Sequence, residues 1–192
     1  MLAGGRHPRP LAVRPKARRG ASARDSARVA GRSGRVHHGR VARPGDDGLV
    51  EREAALGTLR EALAGARAGS GALVFVAGES GAGKTSVVDA FAATAGCRVH
   101  RGACDPLSSP APLAPFADLA CGDALQATLA RACTPHEVFA ALRDDLAAEP
   151  SVVVIEDAHW ADEATLDVLR VLGRRVEALP LLAIVTYRTV PE

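Results

Sequence analysis

The sequence predicts a three-layer α/β sandwich, in which a parallel sheet is covered by helices on both faces. Three short apolar runs, residues 73–77, 152–155 and 181–186, have the length and composition of buried strands, and residues 98–101 are a fourth candidate. Helical patterns lie between these runs. Since strands that alternate with helices pair in parallel, we expect a sheet of four or five strands.

Periodicity and capping residues delimit the helices. Leu56, Leu59 and Leu63 would share one face of the first helix. Thr134 and Glu137 have the spacing of a capping box, in which each residue hydrogen-bonds the backbone of the other at the start of a helix. The predicted helices span residues 51–68, 86–95, 135–148 and 163–178, the last with Asp162 as its N-cap, and residues 106–115 form a proline-rich loop.

Charge is distributed unevenly along the 192 residues. Residues 1–47 carry 12 Lys+Arg and 3 Asp+Glu, a net charge of +9, whereas residues 48–192 carry 12 and 19, a net charge of −7. The first segment has no aromatic residue and no Ile, so it cannot bury enough apolar surface to offset the entropy of ordering it. We therefore predict a disordered basic tail over residues 1–47 and a globular domain over residues 48–192.

The basic tail has three interpretations that the sequence leaves open. It is a solvated tail or an overextended reading frame, a non-specific nucleic-acid arm, or an organellar transit peptide. A secretory signal and a membrane span are excluded, because the chain has neither a leading apolar stretch nor an apolar run of about 18 residues. The four cysteines lack metal-ligand spacing, which predicts reduced thiols in a cytoplasmic protein; they are Cys97, Cys104, Cys121 and Cys133.

The strongest chemical signal follows the first apolar strand. Residues 78–85 match the phosphate-binding pattern G-x-x-x-x-G-K-[ST], in which glycines let backbone N–H groups surround phosphate oxygens and the next helix adds partial positive charge. Lys84 is the only lysine of the globular part, in a chain with 22 arginines. The hydroxyl of Thr85 can ligate Mg²⁺. The candidate phosphate-binding residues are Gly78, Glu79, Ser80, Gly81, Ala82, Gly83, Lys84, Thr85 and Ser86, with Glu79 and Ser80 as positioning residues.

Two acids follow the predicted strand at residues 152–155. Because the carboxyl ends of parallel strands meet at one edge of a sheet, Glu156 and Asp157 would face the phosphate-binding loop. One carboxylate can enter the Mg²⁺ shell while its neighbour polarises a water aimed at the γ-phosphate. Arg188 follows the strand at residues 181–186, and if that strand lies beside the one at residues 152–155, its charge would sense the γ-phosphate. Trp160 is predicted to pack beneath this site, and His159 has no metal partner at a useful spacing.

The chain resembles the AAA-type ATPase domain of the STAND class, found in large LuxR-type transcriptional regulators and Orc1-like relatives. The similar stretches are residues 49–53, 78–85, 155–162 and 186–188, and the resemblance covers roughly residues 48–190. It implies a P-loop NTPase core that binds ATP and Mg²⁺ and hydrolyses ATP. By this resemblance, Glu156 is the Mg²⁺-associated acid, Asp157 activates the water, Arg188 is the first sensor and Arg52 lies near the nucleotide. Many relatives have Asp in place of Glu156.

The resemblance also implies a slow nucleotide-dependent switch, with a homo-oligomer or a regulatory protein as its partner and no membrane contact. The family's fifth strand, helical lid and DNA-binding domains have no counterpart in the sequence. We therefore predict a C-terminally truncated core, which contacts DNA weakly through its tail or only through domains absent here. Two alternatives remain: non-specific nucleic-acid binding by the basic tail, and a truncated fragment without function.

Overall fold

The computed structural model describes residues 12–15, 46–106 and 112–189. The strands are β1 (Ala12–Pro15), β2 (Ala72–Gly78), β3 (Arg98–Ala103), β4 (Ser151–Glu156) and β5 (Leu181–Arg188). The helices are α1 (Asp46–Arg67), α2 (Lys84–Ala92), α3 (Ala114–Ala117), α4 (Asp123–Leu129), α5 (Pro135–Leu146) and α6 (Glu163–Arg175), with 3₁₀ turns at Ala158–Trp160 and Val176–Ala178. Helices pack on both faces of a single sheet, so the predicted α/β fold is confirmed.

The strand order β1-β2-β5-β4-β3 brings the two chemical motifs of the sequence to one edge of the sheet. Strands β2, β5, β4 and β3 are parallel to one another. Gly78, at the end of β2, lies beside Arg188 at the end of β5, and Ile155 of β4 lies beside Val185 of β5. The phosphate-binding loop therefore begins at the same sheet edge at which β4 and β5 end.

Alternating side chains divide the apolar core into two halves. Val152 and Val154 of β4 pack with α1 and α2, whereas Val153 and Ile155 pack with α3 to α6. All four are almost completely buried, as expected for a strand at the centre of a doubly covered sheet. This burial holds β4 in place, and with it the position of the two acids at its end, Glu156 and Asp157.

The first helix presents the apolar face that the sequence predicts. Leu59 and Leu63 are buried against β2 and α2, and Leu56 is partly buried at the border of the same cluster. The helix begins at Asp46, slightly before the predicted domain boundary at residue 48.

Within the segment predicted as a disordered tail, the structure contains a strand. Residues Ala12–Pro15 pair antiparallel with β2, and Val13 packs against the half-core that contains α1 and α2. Without β1 the backbone of β2 would lack partners on one side, and pairing satisfies these groups without requiring aromatic residues or Ile. The sheet is therefore mixed and not wholly parallel. Residues 1–11 and 16–45 lie outside the described residues, and their disorder stays a prediction.

Two short helices, α3 and α4, have no counterpart in the prediction. Both are too short to show a helical period, and α3 begins at the end of the predicted proline-rich loop. The first turn of α4 depends on a distant residue, because the Asp145 carboxylate of α5 accepts hydrogen bonds from the N–H groups of Ala124 (3.2 Å) and Leu125 (2.8 Å). This tertiary contact caps α4 in place of a local N-cap side chain.

Of the four predicted helix starts, the two with capping residues are confirmed, whereas α1 and α2 begin earlier than predicted. Thr134 and Glu137 form a reciprocal capping box at α5. Asp162 caps α6 by accepting a hydrogen bond from the N–H of Thr165 at 3.0 Å. The helix ends at Arg175, and the remainder of the predicted range is the second 3₁₀ turn.

Candidate functional site

The loop between β2 and α2 has the backbone geometry of an anion-binding turn. Gly81 (φ 78°) and Gly83 (φ 81°) adopt left-handed conformations that favour glycine. Gly83 is the N-cap of α2, and no side chain caps this helix. Since the first N–H groups of a helix have no partner within it, α2 directs unpaired donors and partial positive charge into the loop.

Lys84 places its ammonium group inside this loop. Its Nζ donates hydrogen bonds to the carbonyl oxygens of Gly78 and Glu79, both at 2.9 Å. Burial lowers the pKa of Lys84, the negative charge of Asp157 opposes this effect, and the positive charge of Arg188 adds to it. The ammonium group therefore lies within electrostatic reach of both residues that the sequence placed on neighbouring strands.

A cavity of about 500 Å³ lies over the loop. Three parts of the chain converge on it: the loop with the start of α2, the turn after β4, and the end of β5. The lining residues are Ser80, Gly81, Gly83, Lys84, Thr85, Ser86, Asp157, His159, Trp160 and Arg188. Backbone donors, an ammonium, a guanidinium, hydroxyl groups and one carboxylate thus surround a space suited to a polyphosphate.

The other predicted loop residues do not line the cavity, and their backbone groups hydrogen-bond within the loop. Gly78 and Glu79 supply the carbonyl groups that hold the ammonium, and the N–H of Ala82 donates to the Glu79 carbonyl at 3.2 Å. Arg52 of α1 lies against the loop, because a Cβ added at Gly83 would be 2.8 Å from its Nη2. The structure therefore places Arg52 beside the loop, and the φ angle of Gly83 is what favours glycine there, because the end of the Arg52 side chain can move aside.

Asp157 turns out of β4 toward the cavity. It adopts a left-handed conformation (φ 53°, ψ 42°), which Asp tolerates better than most residues with a Cβ. Its N–H donates to Oγ1 of Thr186 on β5 at 3.0 Å, so the neighbouring strand holds the turn. Its carboxylate is half-exposed and lies 3.9 Å from Nδ1 of His159.

The Glu156 side chain does not line the cavity and pairs with β3 instead. Its Oε1 is 3.1 Å from Nη1 of Arg101 on β3, and the same nitrogen is 2.7 Å from Oδ1 of Asp89 on α2. Of the two acids at the end of β4, Asp157 lines the cavity and Glu156 does not. The sequence did not single out Arg101, because β3 carries no recognisable motif and its pairing with β4 becomes visible only in the sheet.

The turn after Asp157 is more exposed than the sequence suggested. Trp160 is 47 % exposed and lines the cavity, so the prediction that it packs beneath the site is wrong. The 3₁₀ turn lies outside the core at the sheet edge, which leaves the indole in contact with solvent and with the ring of His159. Both side chains follow the acid pair directly in sequence, and that proximity was the one available signal of their position.

Asp162 has a structural function in the same stretch. It accepts hydrogen bonds from the N–H of Thr165 and, at 3.3 Å, from the N–H of Leu113. Burial alone would raise the pKa of Asp162, but the hydrogen bonds from Thr165 and Leu113 outweigh it and hold this pKa below its ordinary value. The carboxylate therefore starts α6 and ties the chain before α3 to it.

A second cavity, of about 570 Å³, is unsuited to phosphate. It lies between β2, β5 and α6, and its walls are mostly apolar, including Leu73, Phe75 and Leu169. His159 lines both cavities. The chemistry of the walls, and not the volume, identifies the cavity over the loop as the candidate site.

Two expectations from composition concern the whole chain. The four cysteines are free, and burial raises the pKa of both Cys104 and Cys121 to about 11, which keeps these thiols protonated. In the part of the chain that the structure describes, no helix combines the length and apolarity needed to cross a membrane.

The glycine-rich turn after β2, the ammonium inside it and the acid after β4 at the same sheet edge define a protein of the P-loop nucleotide-binding class. Residues 48–185 match the AAA ATPase domain family, and the chain belongs to this family. The comparison with curated proteins gives no match. The predicted AAA-type ATPase domain is thereby confirmed.

Proposed function

We propose that this chain is an ATP·Mg²⁺-binding module that hydrolyses ATP slowly and acts as a nucleotide-dependent switch. The observation that carries the proposal is the convergence of Lys84, the start of α2, Asp157 and Arg188 on one cavity. Membership of the AAA ATPase domain family supports ATP as the nucleotide. Phosphoryl transfer requires mainly positioning and charge stabilisation, which is what these groups supply.

The loop and α2 would bind the phosphates. The N–H groups of the loop donate to phosphate oxygens, and Lys84 exchanges the carbonyls of Gly78 and Glu79 for the β- and γ-phosphates. Arg188, at the end of β5, would contact the γ-phosphate and respond to its loss. Arg52 would contribute positive charge from α1 beside the loop.

The side chains that face the cavity fit a Mg²⁺ ion. The described residues contain no group of three or more His, Cys, Asp or Glu side chains that could hold a metal, but Mg²⁺ beside a nucleotide takes one or two protein ligands together with phosphate oxygens and waters. Thr85 and Asp157 face the cavity, whereas Glu156, the metal ligand that the resemblance implies, does not line it. When bound, the ion neutralises charge on the β- and γ-phosphates. Asp157 would accept a hydrogen bond from the attacking water and orient it.

The finer assignment rests on the motif stretches. Residues 49–53, 155–162 and 186–188 support a place in the STAND class, as in LuxR-type regulators. The turn Ala158–Trp160 begins directly after Asp157 and lines both the polar cavity and the apolar one, so it is the element that would transmit the state of the nucleotide. A homo-oligomer or a regulatory protein in the cytoplasm would receive this signal.

The test uses Trp160, the only Trp of the chain, which lines the cavity. We expect ATP·Mg²⁺ to change its fluorescence saturably, and Lys84→Ala to weaken the affinity at least about tenfold, since a hydrogen bond to a charged group contributes about 1.5–3 kcal/mol. Lys16→Ala, at the only other lysine, is the matched control and should titrate like the wild type. Identical titrations for Lys84→Ala and the wild type would refute nucleotide binding at this loop.

The net charge of +9 in residues 1–47 favours a second candidate, non-specific nucleic-acid binding by the tail. Such binding to a labelled oligonucleotide would weaken by orders of magnitude between about 50 and 200 mM salt. It would survive Lys84→Ala and disappear when residues 1–47 are deleted. ATP-dependent binding at the cavity has the opposite pattern.

A further inference from the structure

Arg101 of β3 connects the acid pair to the helix that follows the phosphate-binding loop. Its Nη1 lies 3.1 Å from Oε1 of Glu156 and 2.7 Å from Oδ1 of Asp89. The Glu156 side chain is 19 % exposed, whereas the Asp89 side chain is 56 % exposed. The ion pair of Arg101 with Glu156 is therefore better shielded from solvent and salt than the ion pair of Arg101 with Asp89.

Strand register explains why these side chains meet. Arg101 lies beside Val154 of β4, and Glu156 is two residues beyond Val154, so both project toward the sheet face covered by α1 and α2. On α2, Asp89 is four residues beyond Thr85 and lies on the same side of the helix. The guanidinium group thus holds Glu156 on the face of the sheet against which α2, the helix that carries Thr85, packs.

We propose that Arg101 is a positioning residue that keeps the Glu156 carboxylate out of the inner coordination shell of the metal ion bound with the nucleotide. This inference rests on the proposed ATP·Mg²⁺ function and adds to it the residue that sets the metal dependence of nucleotide binding. With Glu156 neutralised by Arg101, the charge of Asp157 alone acts on the phosphates from the end of β4. Loss of Arg101 frees a second carboxylate, which repels a metal-free triphosphate and attracts the cation.

The experiment measures the ATP affinity of each variant twice through Trp160 fluorescence, in excess Mg²⁺ and in EDTA, and compares the ratio of the two affinities. In Arg101→Gln we expect this ratio to rise about threefold to tenfold above the wild-type value, because the freed carboxylate weakens mainly the metal-free binding. A purely structural contribution of Arg101 would weaken both affinities alike. A wild-type ratio in Arg101→Gln would therefore overturn the proposal.

Further variants test the pairing of Arg101 with Glu156 independently. Arg101→Gln combined with Glu156→Gln should restore the wild-type ratio, since the freed charge is gone. Arg98→Gln, which alters an exposed arginine of the same strand paired with Glu149, is the matched control and should leave the ratio unchanged. Asp89→Asn removes the exposed carboxylate that competes with Glu156 for Arg101, and it should lower the ratio by about twofold. This result remains measurable if Arg101→Gln does not fold. A ratio that stays high in the double variant would contradict the proposal.

The outcomes separate this inference from the function on which it rests. If the wild type binds no ATP in either condition, both proposals fail. If the wild type binds ATP and the ratio is insensitive to Arg101 and Asp89, only the positioning inference fails.

Discussion

Individual residues of this protein are constrained most tightly where two backbones approach each other. Gly102 of β3 faces the start of α3, and a Cβ at this position would lie 1.8 Å from the carbonyl oxygen of Pro115. Backbone atoms cannot move aside as the end of a flexible side chain can. Gly57 of α1 is the opposite case, because a Cβ there would meet no atom within 4 Å.

These two glycines give a matched pair of substitutions. Gly102→Ala should lower the free energy of unfolding by about 1–3 kcal/mol or more, because α3 must shift away from β3. Gly57→Ala should raise it by about 0.5–1 kcal/mol, because Ala favours a helix interior over Gly. Urea unfolding followed by circular dichroism measures both changes. Equal effects of the two substitutions would show that α3 does not pack against β3 as described.

Among the helices, α5 has the most complete local stabilisation. Its capping box joins Thr134 and Glu137, and Arg131 forms an ion pair with the same carboxylate at 3.0 Å. The hydrogen bond from the Thr134 backbone, helped by its side chain and by Arg131, lowers the pKa of Glu137 to about 2. The capped helix therefore favours the ionised form of this residue.

The lowered pKa of Glu137 makes the stability of α5 pH-dependent. The folded-state pKa lies below the ordinary value of 4.5, so the contribution is complete above this pH and is lost as the pH falls toward about 2. We expect Glu137→Gln to be less stable than the wild type at neutral pH, and the difference to shrink steadily in acid. Urea unfolding at several pH values tests this. Glu149→Gln, at an exposed pair, is the control, and a pH-independent difference for Glu137→Gln would contradict the argument.

At the scale of the whole molecule, the cavity joins elements that are far apart in sequence. The loop precedes α2, Asp157 follows β4 and Arg188 ends β5, and Arg52 of α1 lies against the loop. A ligand that contacts all of them is lost when any of these elements unfolds. Nucleotide binding should therefore stabilise the fold as a unit and not the loop alone.

This linkage predicts a shift in the unfolding temperature. At an ATP·Mg²⁺ concentration of about 100 times its dissociation constant, the folded state gains about 2.7 kcal/mol. For a domain of this size that corresponds to an increase of about 5–10 °C in the wild type. Lys84→Ala, with an affinity at least about tenfold weaker, should show at most about half of this increase at the same concentration, and Lys16→Ala should show the full one. An equal shift in all three proteins would mean that ATP stabilises the chain elsewhere.

Features that depend on neighbouring residues could be predicted from the sequence: the glycine-rich turn, the buried strands, and the helix starts at Thr134 and Asp162. Such features follow from backbone conformation, local hydrogen bonds and side-chain period, which a short stretch of residues fixes. The parallel order of β2, β5 and β4 then brought the loop, Asp157 and Arg188 together, as expected for strand ends at one sheet edge.

Features that require a partner distant in the chain became visible in the folded structure alone. The pairing of β1 with β2, the capping of α4 by Asp145 and the pairing of Glu156 with Arg101 each join residues from separate elements. The exposure of Trp160 likewise depends on what the folded chain places around it. Hydrogen bonds and ion pairs of this kind form wherever folding brings complementary groups together. The residues near each partner in the sequence therefore do not predict them.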